Sequence, residues 1–411
     1  MMNLTNKPYQ KSINRLKRFF ILLILIVTTF TFGFQIGEVL SATPSLIEMQ
    51  ETLTEEVDET LNNIDFSDLE DIINNFTDNQ KKMFSITNIK DKVKEVLSGE
   101  SKIDYSSFLG AIVSILFEII ADYLPMFVLV ISIGILSSVI GGIKSKVNEK
   151  SVGEIIHFAC FCMVIVIVAT IVKGLIENTY SSIENMQSQM SILFPILLTI
   201  MTSVGSTASV GVFQPTLAVF SNLSSRIFSS LILPIFTLSF CFSIVGNMSN
   251  NIKLDKFNSF LSSLFKWLVG ILFTIFFALL SIQGISAGSF DSVSIRTMKF
   301  TMSSYVPILG GYLSQGMDVI MASSVLIKNA VGLVGIMILI SSIIAPVLEI
   351  VVVSLMFKIV SAILQPLNNT KLTNFLHTTS NCIIMLSTCL IVVAFMYFIM
   401  IGLCMVTANV I

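Results

Sequence analysis

Long apolar stretches separated by short polar segments make up the chain from residue 108 to its end. Two of these stretches, 123–142 and 154–176, are each long enough to cross the hydrocarbon core of a bilayer as a helix. The polar segment between them, 144–150, carries three lysines and one glutamate, which is typical of a cytoplasmic turn. The pattern predicts an all-α polytopic membrane protein with about six full transmembrane helices.

The segment 108–189 is the first predicted transmembrane hairpin. Its second helix is followed by 177–190, which contains Glu177 and Glu184 but no Lys or Arg. Because basic residues are enriched in cytoplasmic loops, we interpret 177–190 as an external loop.

The remainder of the chain contains two similar segments. The octapeptides NNIKLDKF (250–257) and NNTKLTNF (368–375) agree at five of eight positions, and the triplet PIL occurs at 195–197 and again at 307–309. A membrane proline follows each triplet at the same distance, which predicts a tandem duplication. The predicted units are repeat 1 (190–288), a linker (289–301) and repeat 2 (302–411).

Lysines predict the orientation of both repeats. Lys253 and Lys371 lie in the two octapeptides and place both corners in the cytoplasm, so the repeats are parallel. Each repeat starts outside and must double back once before it reaches its corner. Small and polar residues at 203–211 and 309–316 mark these places, where we predict two re-entrant helical hairpins sheltered by neighbouring helices. Arg226, a basic residue on the predicted external side, does not fit this scheme.

The amino-terminal 107 residues differ from the rest. A basic stretch, the apolar core FFILLILIVTTFTFGF (19–34) and small residues at 41–42 predict a signal peptide at 1–42, either cleaved or retained as an anchor. Between residues 43 and 105 there are 15 Asp or Glu against 6 Lys. Apolar residues recur here at helical spacing, so we predict a small acidic helical segment at 43–107, outside the cytoplasm.

Capping residues predict the ends of two helices in this acidic segment. Ser67 with Glu70 has the spacing of a capping box, and Asn88 precedes IKDKVKEVL, which ends at Gly99. The acidic residues form either the solvated face of short helices or a docking surface for a basic partner on the same side of the membrane.

Composition narrows the class of protein further. The chain is 54% hydrophobic and 12% charged, with a mean hydropathy of +0.87, which a soluble domain would carry only by exposing large apolar patches. All six cysteines lie in apolar stretches, so no disulfide framework is predicted. The motifs GxxxxGK[ST] and HExxH do not occur. We predict a non-enzymatic protein of the lipid bilayer with no cofactor, metal or nucleic-acid partner.

Polar residues within apolar segments are the remaining candidates for function, because lipid disfavours them. The membrane-embedded candidates lie in or after the two breaks: Gln214, Pro215, Gly310, Gly311, Asp318, Lys328 and Asn329. They form either a substrate or ion site of the kind that transporters place at helix breaks, or partners for backbone groups that the breaks leave free. Glu118 and Asp122 are candidate interface residues, and the alternative is an amphipathic helix with both carboxylates in water.

Two long motifs carry a specific resemblance: QMSILFPILLTIMTSVGSTASVGVFQP (189–215) and SIRTMKFTMSSYVPILGGYLSQGMDVIMASSVLIKNAVGLVG (294–335). Together with the signal-like start and the acidic segment, they resemble the stage III sporulation protein AE family of endospore-forming Firmicutes over essentially the whole chain. These motifs have no assigned chemistry, so the resemblance implies no catalytic residue.

The resemblance implies a role in sporulation. Members of this family belong to an operon-encoded set in the mother cell that forms, with a forespore partner, a channel-like complex resembling specialised secretion systems and needed for late forespore gene expression. It implies a multi-pass protein of the mother-cell membrane around the forespore, with the acidic segment in the intermembrane space. The implied partners are the other stage III sporulation A-operon membrane proteins and the forespore protein. Two alternatives stay open, a stand-alone secondary transporter of a small solute and an assembly scaffold of the same complex.

Overall fold

The computed structural model describes residues 56–99, 101, 104–143, 150–248, 254–305, 310–367 and 369–407. All regular structure in these ranges is helical, which confirms the all-α fold class. The predicted signal peptide at 1–42 and the lysines at 144, 146 and 253 lie outside the described residues.

The acidic segment is helical, as predicted. A helical stretch at 56–63 is followed by α1 (Ser67–Asn74), α2 (Asp78–Phe84) and α3 (Ile89–Leu97). The predicted N-cap of α3 is confirmed, because the Asn88 side chain accepts a hydrogen bond from the N–H of Asp91 at 3.2 Å. Gly99 follows the end of α3 with a φ of 70°, a left-handed conformation that favours glycine.

The predicted capping box at Ser67 is wrong. Helix α1 begins at Ser67 itself, and the backbone N–H of Ser67 donates to Asp65 at 2.9 Å. A capping box occurs instead at α2, where the Thr77 side chain accepts from the N–H of Gln80 and the Gln80 side chain accepts from the N–H of Thr77. The spacing S/T-x-x-E/Q occurs at both places, and only at Thr77 is the first residue extended, as an N-cap must be.

Long helices form the rest of the described chain. They are α4 (Tyr105–Ile143), α5 (Lys150–Ser203), α6 (Thr207–Ile227), α7 (Leu233–Met248), α8 (Asp255–Tyr305), α9 (Gly310–Leu364) and α10 (Thr370–Val406). A π-helical turn, Phe228–Ile232, joins α6 to α7. Six helical stretches among the described residues are long and apolar enough to cross a membrane, which is the number that the sequence predicts.

Two segments predicted to lie between helices are themselves helical. Residues 177–190 belong to α5, and the predicted linker at 289–301 belongs to α8. The prediction of a loop at 177–190 is wrong, because its polar residues occupy one face of a continuous helix; its external position stays a prediction. Glu177 and Glu184 are exposed, whereas Ile183 and Met186 are buried on the other face.

The first predicted break is a tight turn between antiparallel helices. Helix α5 ends at Ser203, Gly205 has a φ of 84°, and α6 begins at Thr207 and packs back against α5. The first arm of this hairpin is the end of a 54-residue helix rather than a short separate leg. The second break, predicted at 309–316, is helical from Gly310 onward, and 306–309 lie outside the described residues.

The two predicted cytoplasmic corners lie at the same end of the helical bundle. Ser239 of α7 donates a hydrogen bond from Oγ to Asn258 Oδ1 near the start of α8, and its Oγ is 3.8 Å from Cys382 Sγ of α10. Farther along both helices, the rings of Phe273 on α8 and Phe395 on α10 lie 6.1 Å apart, so the two helices run in the same direction. This arrangement agrees with parallel repeats, and the duplication itself stays a prediction.

Helix α9 is central, because it packs against α4, α5, α8 and α10. Glycines allow close contact at two of these interfaces. A Cβ atom added to Gly335 would lie 2.4 Å from Leu193 Cδ2 of α5, and one added to Gly332 would lie 2.5 Å from Met405 Cγ of α10. Such short separations show that the neighbouring side chains occupy the space above each glycine.

Candidate membrane-embedded polar sites

Lys328 is fully buried in α9, with an exposed fraction of 0%. Its Nζ donates a hydrogen bond to the carbonyl oxygen of Thr407, which follows the last residue of α10. The last carbonyl groups of a helix lack intrahelical donors and carry partial negative charge. Lys328 therefore satisfies the end of α10 and holds it against the middle of α9.

The first break lies at the same end of the bundle as Lys328. Val204, in the turn between α5 and α6, packs against Val325, which precedes Lys328 by one helical turn. Ser206 Oγ in this turn and Asn329 Oδ1 are buried and have no hydrogen-bond partner among the described residues. Two buried polar oxygens at one end of the bundle are places where a water or ligand would be stabilised.

The other membrane-embedded candidates are more scattered. Asp318 is half-buried ten residues before Lys328 on α9, and Gly310 and Gly311 are the first residues of that helix. Gln214 and Pro215 are exposed on α6. The structure thus brings the first break close to the Lys328 region but leaves Gln214 and Pro215 on the surface.

Glu349, which sequence reasoning missed, joins three helices. Its Oε1 accepts a hydrogen bond from the hydroxyl of Tyr123 on α4 at 2.5 Å, and both of its carboxylate oxygens accept from Asn178 Nδ2 on α5 at 3.0 and 3.1 Å. A signal for it was present, because an ionisable residue within the apolar stretch after Pro346 is unusual in a membrane helix. Its partners are 226 and 171 residues away in the chain, which no local pattern reveals.

The acidic segment docks close to this carboxylate. Asn79 Nδ2 donates to Glu118 Oε1 of α4 at 2.8 Å, and Gln80 Nε2 donates to the backbone carbonyl of Ser341 on α9 at 3.1 Å. Proline at 346 has no N–H and disturbs the preceding turn, which leaves carbonyl groups near Ser341 available to outside donors. Of the two predicted interface residues, Glu118 therefore makes a contact within the chain, whereas Asp122 is exposed.

A second cross-helix contact lies about three turns farther along α5. Gln189, only 2% exposed, accepts a hydrogen bond from Ser342 Oγ of α9 at 3.2 Å. We call the residues around these contacts the polar belt: Glu118, Asp122 and Tyr123 of α4, Asn178 and Gln189 of α5, and Ser341, Ser342 and Glu349 of α9. The belt lies part-way along the bundle, with apolar helix on both sides of it.

The polar side chains described above connect neighbouring helices through hydrogen bonds. Among the described residues, no group of three or more His, Cys, Asp or Glu is placed to hold a metal ion. Within the described ranges, one small pocket of about 230 Å³ lies between the acidic segment and Met337, and another of about 200 Å³ lies between α6, α8 and α10. Both are below the ~300 Å³ at which small-molecule sites begin.

Fold and polar groups together define an all-helical polytopic membrane protein whose buried polar side chains connect helices. Comparison with known proteins specifies the class further. The chain belongs to the Stage III sporulation protein AE family, which it matches over residues 87–408. It is 25% identical over 321 residues to Stage III sporulation protein AE of Bacillus subtilis (strain 168), and the match covers 78% of this chain and 80% of that protein. No solved structure matches the chain.

Proposed function

We propose that this sporulation protein is a non-enzymatic membrane subunit of a channel-like complex between the mother cell and the forespore. Its family membership supports the role in sporulation. The finer proposal rests on the position of the acidic segment. Its helices α1–α3, which we call the acidic layer, pack on the six-helix membrane bundle, away from the corners that bear lysines. Such a layer offers a surface to protein partners in the space next to the membrane.

The charge of this layer favours a basic partner. Between residues 56 and 122, the described chain contains 13 Asp or Glu against 5 Lys. Asp68 and Asp71 are exposed on α1, whereas the opposite face of that helix buries Leu69 and Ile73. Complementary charge raises the association rate and disfavours wrong partners, so an acidic face is suited to recognise a basic one.

The layer is fixed to the membrane helices rather than tethered loosely. Besides the hydrogen bonds of Asn79 and Gln80, the Phe84 ring of α2 lies 5.5 Å from the Phe108 ring of α4. We propose that the protein resides in the mother-cell membrane with this layer in the intermembrane space. Its proposed partners are the other stage III sporulation A-operon membrane proteins and a forespore protein.

Charge reversal on α1 tests this proposal more cleanly than removal of the segment, because removal would uncover apolar residues of α4 and α9. We expect Asp68→Lys with Asp71→Lys to reduce spore yield and recovery of the complex, while the amount of protein in the membrane is unchanged. The matched control is Asp68→Asn with Asp71→Asn, which removes charge without reversing it and is expected to have a smaller effect. Normal spore yield with an intact complex in the reversed variant would contradict the proposal.

An assembly scaffold of the same complex is the second candidate, and the contact of Lys328 with α10 favours it. A fully buried lysine bonded to a helix end acts in packing, whereas a transporter would need it to reach a solute. We propose that Lys328, Asn329 and Asp318 act in assembly. If Asp318→Asn and Asn329→Ala each leave complex formation and spore yield unchanged, these residues have no such role. Uptake of a small solute into liposomes by the purified protein would favour the transporter instead.

A further inference from the structure

The exposed face of α5 changes from apolar to polar part-way along the helix. Between residues 155 and 170 its exposed side chains include Ile155, Phe158, Met163 and Val166. From residue 173 onward they include Lys173, Glu177, Asn178, Glu184 and Ser188. Hydrocarbon tolerates the first set and excludes the second, so the outer surface of the bilayer lies near residue 170.

Contacts with α5 relate this level to the neighbouring helices. Tyr123 of α4 and Asn178 of α5 both donate to Glu349. Gln187 of α5 donates from Nε2 to Asn222 Oδ1 of α6 at 2.9 Å. Glu118, Asp122 and Arg226 therefore lie beside the polar part of α5, and the polar belt lies on the outer side of the bilayer surface.

The length of α5 places its far end well outside the bilayer. The 54 residues of α5 correspond to ~81 Å of helix, against ~30 Å of hydrocarbon. Its last 30 residues then extend ~45 Å beyond residue 173, and with them the turn at Gly205. On this placement the first hairpin stands in the extracytoplasmic space, which is an alternative to the predicted re-entrant hairpin.

Two apolar stripes are consequently exposed to water. On α4, Tyr105, Leu109, Val113 and Phe117 follow one another at intervals of four residues, and their exposed fractions lie between 48% and 68%. On α6, Val212, Val219 and Leu223 share one face, with exposed fractions between 38% and 64%. Contiguous apolar surface in water marks a site of protein association.

Opposite charges stand at the membrane end of the two stripes. Glu118 and Asp122 follow the α4 stripe, whereas Arg226 follows the α6 stripe and is the one charged residue of α6. Arg226 is exposed and has no ion-pair partner among the described residues. The enrichment of basic residues in cytoplasmic loops does not explain an unpaired arginine on the external side. Such an arginine is suited to bind a carboxylate of another chain.

The two stripes also match in length and direction. Each extends over about three helical turns, or ~17 Å, starting at the level of the belt. Both helices have their amino ends outward, and both pack against α5 rather than against each other. Beside the α4 stripe, Ser106, Gly110 and Ser114 recur at intervals of four, and a Cβ atom on Gly110 would meet nothing within 4 Å. Small residues at this spacing let a second helix approach closely.

We propose that a second copy of this chain occupies the α4 stripe. The outer half of α4 in one copy packs in parallel against α6 of the next, with Asp122 and Glu118 facing Arg226. The contact joins two different surfaces, so each copy still has one free stripe and repeated association closes into a ring if the rotation allows. The contact forms whether or not the protein takes part in the sporulation complex.

Co-purification of two differently tagged copies from detergent-solubilised membranes tests the contact. Gly110→Leu is the main variant, because its side chain has free space in the single copy and fills the space that a second helix needs. We expect co-purification to fall at least ~5-fold, since overpacking costs ~1–3 kcal/mol and 1.4 kcal/mol is tenfold. Gly270→Leu on α8 is the matched control, because a Cβ there also meets nothing within 4 Å. Its co-purification should equal that of the wild type.

A charge swap tests which surfaces meet. Asp122→Arg and Arg226→Asp should each reduce co-purification at least ~10-fold, and a chain that carries both should recover it. Lys256→Glu, at the opposite end of the bundle, should have no effect. Failure of the wild-type copies to co-purify overturns the proposal. So does an unchanged association of Gly110→Leu, or failure of the double swap to restore binding.

Discussion

The contact between Leu193 and Gly335 predicts that Gly335→Ala lowers or raises stability depending on the residue at position 193. In Gly335→Ala, the new Cβ would lie 2.4 Å from Leu193 Cδ2, so the leucine must move. Overpacking of this kind costs ~1–3 kcal/mol, whereas replacing a helical glycine by alanine returns ~1 kcal/mol. We expect Gly335→Ala to lower the free energy of unfolding by up to ~2 kcal/mol.

In a protein that lacks the Leu193 side chain, we expect Gly335→Ala to have the opposite effect on stability. Leu193 is 2% exposed, so Leu193→Ala alone should cost ~2–5 kcal/mol. In that background the alanine at 335 no longer meets a side chain and fills part of the cavity. Gly335→Ala should then stabilise the protein by ~1 kcal/mol, which corresponds to a coupling of ~1–3 kcal/mol between the two positions.

Thermal unfolding of the four detergent-solubilised variants, followed by circular dichroism, measures this cycle. Gly174→Ala on α5 is the matched control, because a Cβ there meets nothing within 4 Å. It should stabilise both backgrounds by a similar amount. The reasoning is refuted if Gly335→Ala changes stability in the same direction with leucine and with alanine at 193.

Three further predictions concern the segment outside the membrane and its boundary. Thr77→Ala removes the capping box of α2 and should cost ~1 kcal/mol in the same unfolding assay, whereas Thr77→Ser should be close to neutral. The pKa of Asp104 is lowered from 3.8, mainly because its carboxylate accepts a hydrogen bond from the Ser107 hydroxyl. The stabilising contribution of Asp104 is therefore complete above pH 3.8 and is lost as the pH falls through the lower pKa of the folded state. The loss of stability between about pH 5 and 2 should be smaller in Asp104→Asn. A membrane-impermeant maleimide added from outside should label Ser188→Cys but not Val166→Cys, and equal labelling would contradict the position of the bilayer surface.

Local signals predicted the features that depend on neighbouring residues. The N-cap at Asn88 and the glycine after α3 were found because their hydrogen bonds are formed within a few residues. The same kind of signal failed at Ser67, since the capping spacing occurs there without the extended backbone of an N-cap. A motif of two residues therefore predicts a cap only together with the conformation of the chain.

Part of the candidate site was predicted, and part depended on contacts between distant residues. Lys328 was identified because a lysine in an apolar stretch is unusual, but its partner at Thr407 is 79 residues away. Glu349 carried the same signal and was overlooked, and its contacts with Tyr123 and Asn178 follow from how α9 packs between α4 and α5. Burial of Lys328 also changes its interpretation from a solute site to a contact between helices.

The sequence by itself determined that the chain is helical and that about six of its helices are long and apolar enough to cross a membrane. These properties follow from hydrophobicity and charge, which act residue by residue on transfer from water to lipid. Only the tertiary structure decided that 177–190 continues α5, that Glu349 joins three helices, and which faces of α4 and α6 stay uncovered. Continuity and burial of a helix depend on what packs against each of its faces, and those neighbours lie far away in the sequence.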